Sequence, residues 1–243
     1  MTFEKKLHKL CLIYGNQQLL VDETVDYIIE DRLEGRQHEW ALERFNLHEL
    51  LKNAGDFGRQ IVEDLMISCE TLPMFTDLKV IRIDNFDLVK KSRNNTGKIN
   101  QHLLYEIVEK IIKNPPESIW FVFTSTATRE QDFSNPLFQG IKKTGLIKKF
   151  TAYENDTPLN WVIQRGDTKG LPLSADSARL LIDIVGSDLM DLDHELEKLS
   201  LYLSGENITE EMIKEHIRGH KHFSVFRMTE ALSRKELLPA LAK

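Results

Sequence analysis

The chain has 243 residues, of which 41% are hydrophobic and 29% charged, and this length can bury a sizeable core in one large or two small domains. The formal net charge is -6 and no basic stripe is interleaved with aromatic residues, which argues against nucleic acid as the main direct partner. Two cysteines without a CxxC pair, and no apolar run of membrane-spanning length, predict a cytoplasmic protein without a disulfide framework, a structural zinc or a membrane anchor.

Strands alternate with helices in the pattern of the first 150 or so residues. A short apolar run over residues 10–14 is typical of a buried strand, and helical spacing follows over residues 19–33. Further strands are predicted at residues 39–47, 78–83, 119–123 and 147–153, and further helices at residues 57–69, 103–112 and 137–141. This alternation predicts an α/β domain with a parallel five-stranded sheet and helices on both faces.

After residue 157 the pattern changes to helices only. Trp161 opens one helix, and Ser174, Asp188 and Thr209 are suitable N-caps for three more. From Phe223 a new apolar pattern begins, which two short helices could not bury alone. We therefore predict an α/β domain over residues 1–153, a small all-helical domain over residues 154–220, and the incomplete start of a third, helical domain over residues 221–243.

The connection after the helix at residues 57–69 is unusually apolar. Pro73 cannot donate a backbone hydrogen bond and favours an extended preceding residue, so the helix should end there and leave large apolar side chains on a connection. Connections normally run over the surface, so this cluster either contacts a partner's pocket or folds back on its own core. The connection consists of Glu70, Thr71, Leu72, Pro73, Met74 and Phe75.

The turn after the first strand is the place where a phosphate-binding loop would lie. Residues 15–20 contain one glycine and neither the Lys-Ser/Thr pair of a P-loop nor a GxGxxG, so no nucleotide cofactor is expected. Asp84 ends a strand but is followed by Asn85, which favours a turn over a magnesium site. The histidines between residues 216 and 222 lack an acid or a cysteine to complete a metal site. Without a catalytic motif, the chain is not expected to be an enzyme.

Several modest motifs occur in a specific order over nearly the whole chain. They are LIYGN at 12–16, LPMF at 72–75, LKVIRI at 78–83, WVIQR at 161–165, GSDL at 186–189 and ELEKLSLY at 195–202. Together they resemble the delta subunit of the bacterial DNA polymerase III clamp loader. The resemblance implies an AAA+-like first domain that has lost nucleotide binding, a helical lid domain and a collar domain that joins the loader ring.

The resemblance also implies a site and a set of partners. In that family the loop matching Leu72 to Phe75 inserts into the apolar pocket of the sliding clamp, and the neighbouring helix helps to open the ring. This favours a partner contact for residues 70–75. The implied partners are the sliding clamp (beta subunit) and, through the collar, the other loader subunits, with DNA contacted only indirectly and no membrane. Glu70 departs from the glutamine that the family often has there, and the collar is cut short.

Two alternatives compete with the delta subunit. The sister subunit delta-prime would be expected to carry a Ser-Arg-Cys motif and a cysteine-bound zinc, whereas residues 124–129 read TSTATR. A degenerate P-loop-type nucleotide-dependent enzyme would require the glycines and lysine that residues 15–20 lack.

Overall fold

The computed structural model describes residues 8–33, 38–52, 56–71, 73, 76–91, 99–151, 158–203 and 208–217. The chain divides into two compact units, Met1–Thr151 and Ala152–Lys243. The predicted boundary after residue 153 and the predicted third domain from residue 221 lie outside the described residues, so both stay predictions.

The first unit is built on a five-stranded parallel sheet, which confirms the predicted fold class. Its strands are β1 (Leu10–Gly15), β2 (Leu42–Asn46), β3 (Lys79–Asp84), β4 (Ile119–Ser125) and β5 (Leu146–Phe150). They lie in the order β2-β3-β4-β1-β5, and every neighbouring pair is parallel. The middle strand β4 is almost continuously apolar because parallel strands are covered on both faces.

Helices cover both faces of this sheet. Alternate strand residues explain how: Cys11 and Ile13 pack with one set of helices, whereas Leu12 and Tyr14 pack with the other. The first set is α1 (Gln18–Leu33) and α2 (His38–Ala41). The second set is α3 (Leu47–Lys52), α4 (Asp56–Glu70), α5 (Ile99–Lys113) and α6 (Asn135–Thr144).

The second strand differs from its prediction at both ends. The prediction of strand from residue 39 was wrong, because His38–Ala41 forms a helical turn on which Trp40 is exposed. Apolar residues 40, 42, 45 and 47 are not strictly two apart, so they cannot all lie on one face of a strand. Only Leu42–Asn46 pairs with β3, and Leu47 is already the first residue of α3.

Helices make up the second unit. They are α7 (Pro158–Thr168), α8 (Ala175–Val185), α9 (Leu189–Tyr202) and α10 (Glu210–His216). The three predicted N-caps are confirmed, since each side-chain oxygen accepts backbone N–H bonds: Ser174 from Ser177, Asp188 from Met190 and Asp191, and Thr209 from Met212.

Candidate partner-binding site at the end of helix α4

The structure places the first residues of the predicted site at the end of α4. Glu70 is the last residue of the helix, and Thr71 follows it; both are exposed. The backbone N–H and the hydroxyl of Thr71 both donate to the Ile67 carbonyl, at 2.8 and 2.7 Å, so the last turn is closed by two hydrogen bonds. Pro73 is half-buried.

The three apolar residues of the predicted contact lie outside the described residues. They are Leu72, Met74 and Phe75. Their contact with a partner therefore stays a prediction, and the described residues around them define how the connection is held.

A buried lysine ties the end of α4 to the sheet. Lys79, the first residue of β3, donates from Nζ to the Ser68 carbonyl of α4 at 3.1 Å and pairs with the Glu43 carboxylate of β2. The Ser68 hydroxyl donates to the same carboxylate. Because the Lys79 side chain is only 6% exposed, these bonds have little competition from water. The chain is thus fixed just before and just after the apolar connection.

One apolar side chain of α4 is exposed beside this connection. Ile67 is 57% exposed, one turn before Thr71. Successive helical residues are about 100° apart, so Ile67 lies about 200° around the helix from the buried Leu65 and off the core stripe. The sequence analysis missed Ile67 because it lies within an apolar run, although this angular offset could have revealed it.

A groove of about 190 Å³ lies between α4 and α5. Met66, Cys69, Ile107 and Ile111 line it, and an ion pair between Glu70 and Lys110 crosses its rim with Oε1 and Nζ 3.0 Å apart. Burial, the largest effect, raises the pKa of the Cys69 thiol to about 12. The thiol is therefore protonated at neutral pH and behaves as an apolar wall rather than as a nucleophile.

The turn between β1 and α1 is too short to surround a phosphate. Only Asn16 and Gln17 connect the two elements, and the Gln17 N–H donates to the Phe150 carbonyl at 3.2 Å. Gly15 has φ 143°, and a Cβ there would lie 1.8 Å from the same carbonyl oxygen. A backbone amide that could have faced a phosphate is thus used to join the turn to the end of β5.

The strand-end acid nearby is held by the protein's own side chains. Asp84 accepts hydrogen bonds from the Thr124 hydroxyl at 2.6 Å and from Arg82 Nε at 2.8 Å. Arg82 also reaches Asp22 of α1, with Nη2 and Oδ1 3.5 Å apart. The guanidinium neutralises the position where a bound cation would otherwise be favoured, so Asp84 acts structurally in this arrangement.

Within the described part of the chain, no group of three or more His, Cys, Asp or Glu residues is placed to hold a metal ion. Of the histidines considered in the sequence, His216 is described, and its Nδ1 lies 2.9 Å from the Met212 carbonyl. His220 and His222 lie outside the described residues. Every helix in the described ranges is too short or too polar to cross a membrane.

The parallel sheet order, the helices on both faces and the helical second unit define an AAA+-like fold, in which Asn16 and Gln17 alone join β1 to α1. The family model for the DNA polymerase III delta subunit matches residues 11–151, and the chain belongs to this family. No curated protein sequence matches the chain.

Solved structures carry the same fold. The Bacillus subtilis DNA clamp loader delta protein (YqeN) matches with a TM-score of 0.66 and 17% identity over 97% of this chain, which spans 66% of the length of that protein. The Thermotoga maritima RuvB Holliday junction branch migration motor matches with a TM-score of 0.51 and 12% identity, over 94% of this chain and 70% of its own. At these identities the similarity shows the fold alone.

Proposed function

We propose that this delta-family chain binds the DNA polymerase sliding clamp through residues 70–75 and opens the clamp ring during DNA replication. The proposal rests on the geometry at the end of α4. Lys79 fixes this end of the helix to the sheet, and the apolar connection begins beside the exposed Ile67. A rigid base that presents large apolar side chains suits insertion into a preformed apolar pocket. Glu70 and Thr71 then form the polar margin of the contact.

The opening step is proposed to use binding energy and no nucleotide. A ligand shifts an equilibrium only by its preference for one state, so the chain must bind the open clamp more tightly than the closed clamp. Two features support a non-catalytic role. The turn after β1 has only two residues, and the Asp84 carboxylate already accepts hydrogen bonds from Arg82 and Thr124. The other loader subunits are the proposed partners of the segment after residue 220, DNA is contacted only within the assembled loader, and the cytoplasm is the proposed location.

The test compares clamp affinity of the wild type with that of Met74→Ala/Phe75→Ala. Burying each of these side chains is worth about 1.5–3 kcal/mol, so the double change should weaken binding by roughly a hundredfold or more. Surface plasmon resonance with the cognate sliding clamp measures this directly. Tyr27→Ala is the matched control, because Tyr27 is a 49% exposed aromatic residue on α1, which covers the opposite face of the sheet.

Ring opening needs a separate measurement. Clamps closed around nicked circular DNA should be released by the wild-type chain without ATP and retained in the presence of the double variant. Unchanged affinity of the double variant would refute the proposed site, whereas tight binding without clamp release would refute the opening step alone.

A further inference from the structure

The last turns of α4 and α5 lie side by side at one edge of the sheet, with a groove between them. Each helix is followed by a connection into the next strand, and the first residues of those strands, Lys79 and Ile119, are paired in register. The Lys79 N–H also donates to the Ser118 carbonyl at 2.9 Å. The groove, which we call the α4–α5 groove, therefore lies at the edge where residues 70–75 lead from α4 towards β3.

Apolar side chains form most of the lining of the α4–α5 groove, and its polar residues are exposed at the rim. The lining residues all belong to the described part of the chain. The apolar ones are Met66, Cys69, Ile107, Ile111 and Pro116, and the polar ones are Glu70, Glu106, Lys110 and Asn114. An apolar hollow with a polar rim suits an apolar side chain supplied by a partner.

The volume of the groove limits what can occupy it. It measures about 190 Å³, whereas pockets for cofactors and drug-sized ligands usually measure about 300–1,000 Å³. One large apolar side chain of a protein is therefore a better fit than a small-molecule ligand. In protein interfaces the anchoring side chains of one partner tend to lie next to those of the other, so a groove beside residues 70–75 is well placed for such a contact.

The ion pair across the rim does not close the groove. The side chains of Lys110 and Glu70 are 75% and 57% exposed, and exposed ion pairs contribute little to stability. The pair can therefore separate when a partner approaches, and both charges remain in water at the margin of the contact. Glu70 belongs both to this rim and to residues 70–75, so a partner bound to that connection also lies beside the groove.

We propose that the α4–α5 groove receives an apolar side chain of the sliding clamp while residues 70–75 enter the clamp's own pocket. Each partner then supplies one anchoring side chain and one hollow. Two separate anchors fix the orientation of α4 on the clamp, which a single anchor does not. This inference rests on the proposed function, because it names a second contact made by the same site.

Two substitutions at one rim position test the groove by surface plasmon resonance with the cognate clamp. Lys110→Trp places an indole over the apolar walls and should weaken clamp binding by about tenfold or more. Lys110→Ala removes the ion pair with Glu70 but leaves the groove open, so its affinity should stay within about threefold of the wild type. Because Lys110 is exposed, neither change disturbs the core.

The same measurements separate the two proposals. Wild-type affinity of Lys110→Trp, while Met74→Ala/Phe75→Ala still loses binding, would overturn the groove contact and leave the proposed function intact. Failure of the wild-type chain to bind the clamp would refute the proposed function and the groove contact with it.

A methyl resonance in the groove reports its occupant directly. In a chain labelled with ¹³C-methyl methionine, the Met66 signal, identified by its loss in the volume-conserving Met66→Leu variant, should shift when the clamp binds the wild type. An unchanged Met66 signal in the clamp-bound chain would overturn the proposal. So would a shift caused in the free chain by Met74→Ala/Phe75→Ala, which would place the chain's own connection in the groove. A shift caused by raising the chain concentration alone, with a dimer mass by light scattering, would assign the groove to a second copy and also overturn the proposal.

Discussion

At the scale of single residues, Lys79 has the most demanding environment near the candidate site. Its ammonium group is almost fully buried and is satisfied by a carboxylate from β2 and a carbonyl from α4. Removing one member of a buried ion pair leaves the other charge without its counter-charge, and this costs more than the intact pair contributes. Lys79 therefore couples the position of the α4 end to the integrity of the sheet edge.

Lys79→Ala should lower the free energy of unfolding by about 2 kcal/mol, a value below that of a fully buried pair because Glu43 is 43% exposed. Urea denaturation followed by circular dichroism measures the change. Lys113→Ala is the matched control: Lys113 pairs with Glu109 one turn away and is 69% exposed, so its loss should cost under about 0.5 kcal/mol. Equal losses in the two variants would show that the buried pair has no special role.

Residues such as Lys79 and Ile67 mark the limit of what the sequence could predict. The N-caps Ser174, Asp188 and Thr209 were predictable because a cap bonds to amides two or three residues away. Lys79 was not, because its partners come from two distant elements and are joined only by the folded sheet. The apolar connection itself was predicted from Pro73, whereas the exposure of Ile67 depends on which face of α4 the sheet covers.

At the scale of elements, the β1–α1 turn decides whether the first unit can use ATP. A P-loop places four variable residues between its glycines so that several amides converge on a phosphate, whereas Asn16 and Gln17 alone join β1 to α1. We expect no saturable heat when Mg-ATP is titrated into the chain in a calorimeter. Arg82→Ala, which removes the guanidinium beside Asp84, should behave the same because the short turn remains. Saturable binding by either protein would contradict this prediction.

The ends of the strands depend both on the local apolar pattern and on pairing with neighbouring strands. Buried strands β1, β3 and β4 were predicted to within two residues at each end, because parallel strands covered on both faces read as continuous apolar runs. The more exposed β2 was mispredicted by three residues at its start, because its length is set by pairing with β3 and not by its own pattern. The order of the strands likewise follows from packing, which a single sequence does not display.

Within the helical unit, ion pairs join α7 to α9. Arg165 Nε lies 2.5 Å from Asp193 Oδ1, and Lys169 pairs with both Asp193 and Glu197. Burial raises the pKa of the Asp193 carboxyl, but the hydrogen bond and charge of Arg165, together with Lys169, outweigh burial and hold that pKa below its usual range. The ionised carboxylate therefore stabilises the folded state above the unfolded-state pKa of about 3.9, and this contribution is lost as the pH falls further through the folded-state pKa.

Asp193→Asn should destabilise the helical unit by about 1–2 kcal/mol at neutral pH and by progressively less as the pH falls below about 4. Trp161 on α7 stacks near Arg165, with the guanidinium 5.8 Å from the ring centroid, so its fluorescence reports unfolding of this unit. The measurement uses urea titrations in a background where Trp40 and Trp120 are replaced by Phe. A difference between wild type and variant that is independent of pH would refute the assigned role of Asp193.

At the scale of the whole molecule, the proposed clamp contact and the proposed assembly surface lie in different parts of the chain. Residues 70–75 belong to the first compact unit, whereas the predicted collar segment from residue 221 belongs to the second. The chain spans 66% of the length of the Bacillus subtilis clamp loader delta protein, and the delta resemblance assigns ring assembly mainly to the collar. Clamp binding and loader assembly should therefore be separable.

We accordingly expect a polypeptide of residues 1–243 to bind the sliding clamp as an isolated subunit and yet to form no stable complex with the other loader subunits. The first unit has its own core on both faces of the sheet, so it can present the α4 end without further domains. The segment after residue 220 has too few apolar residues to form a collar core alone. Size-exclusion chromatography with the other loader subunits measures assembly, and clamp binding by the same preparation is the control for folding. Co-elution in a stoichiometric complex would refute this expectation and would assign assembly to the first two predicted domains.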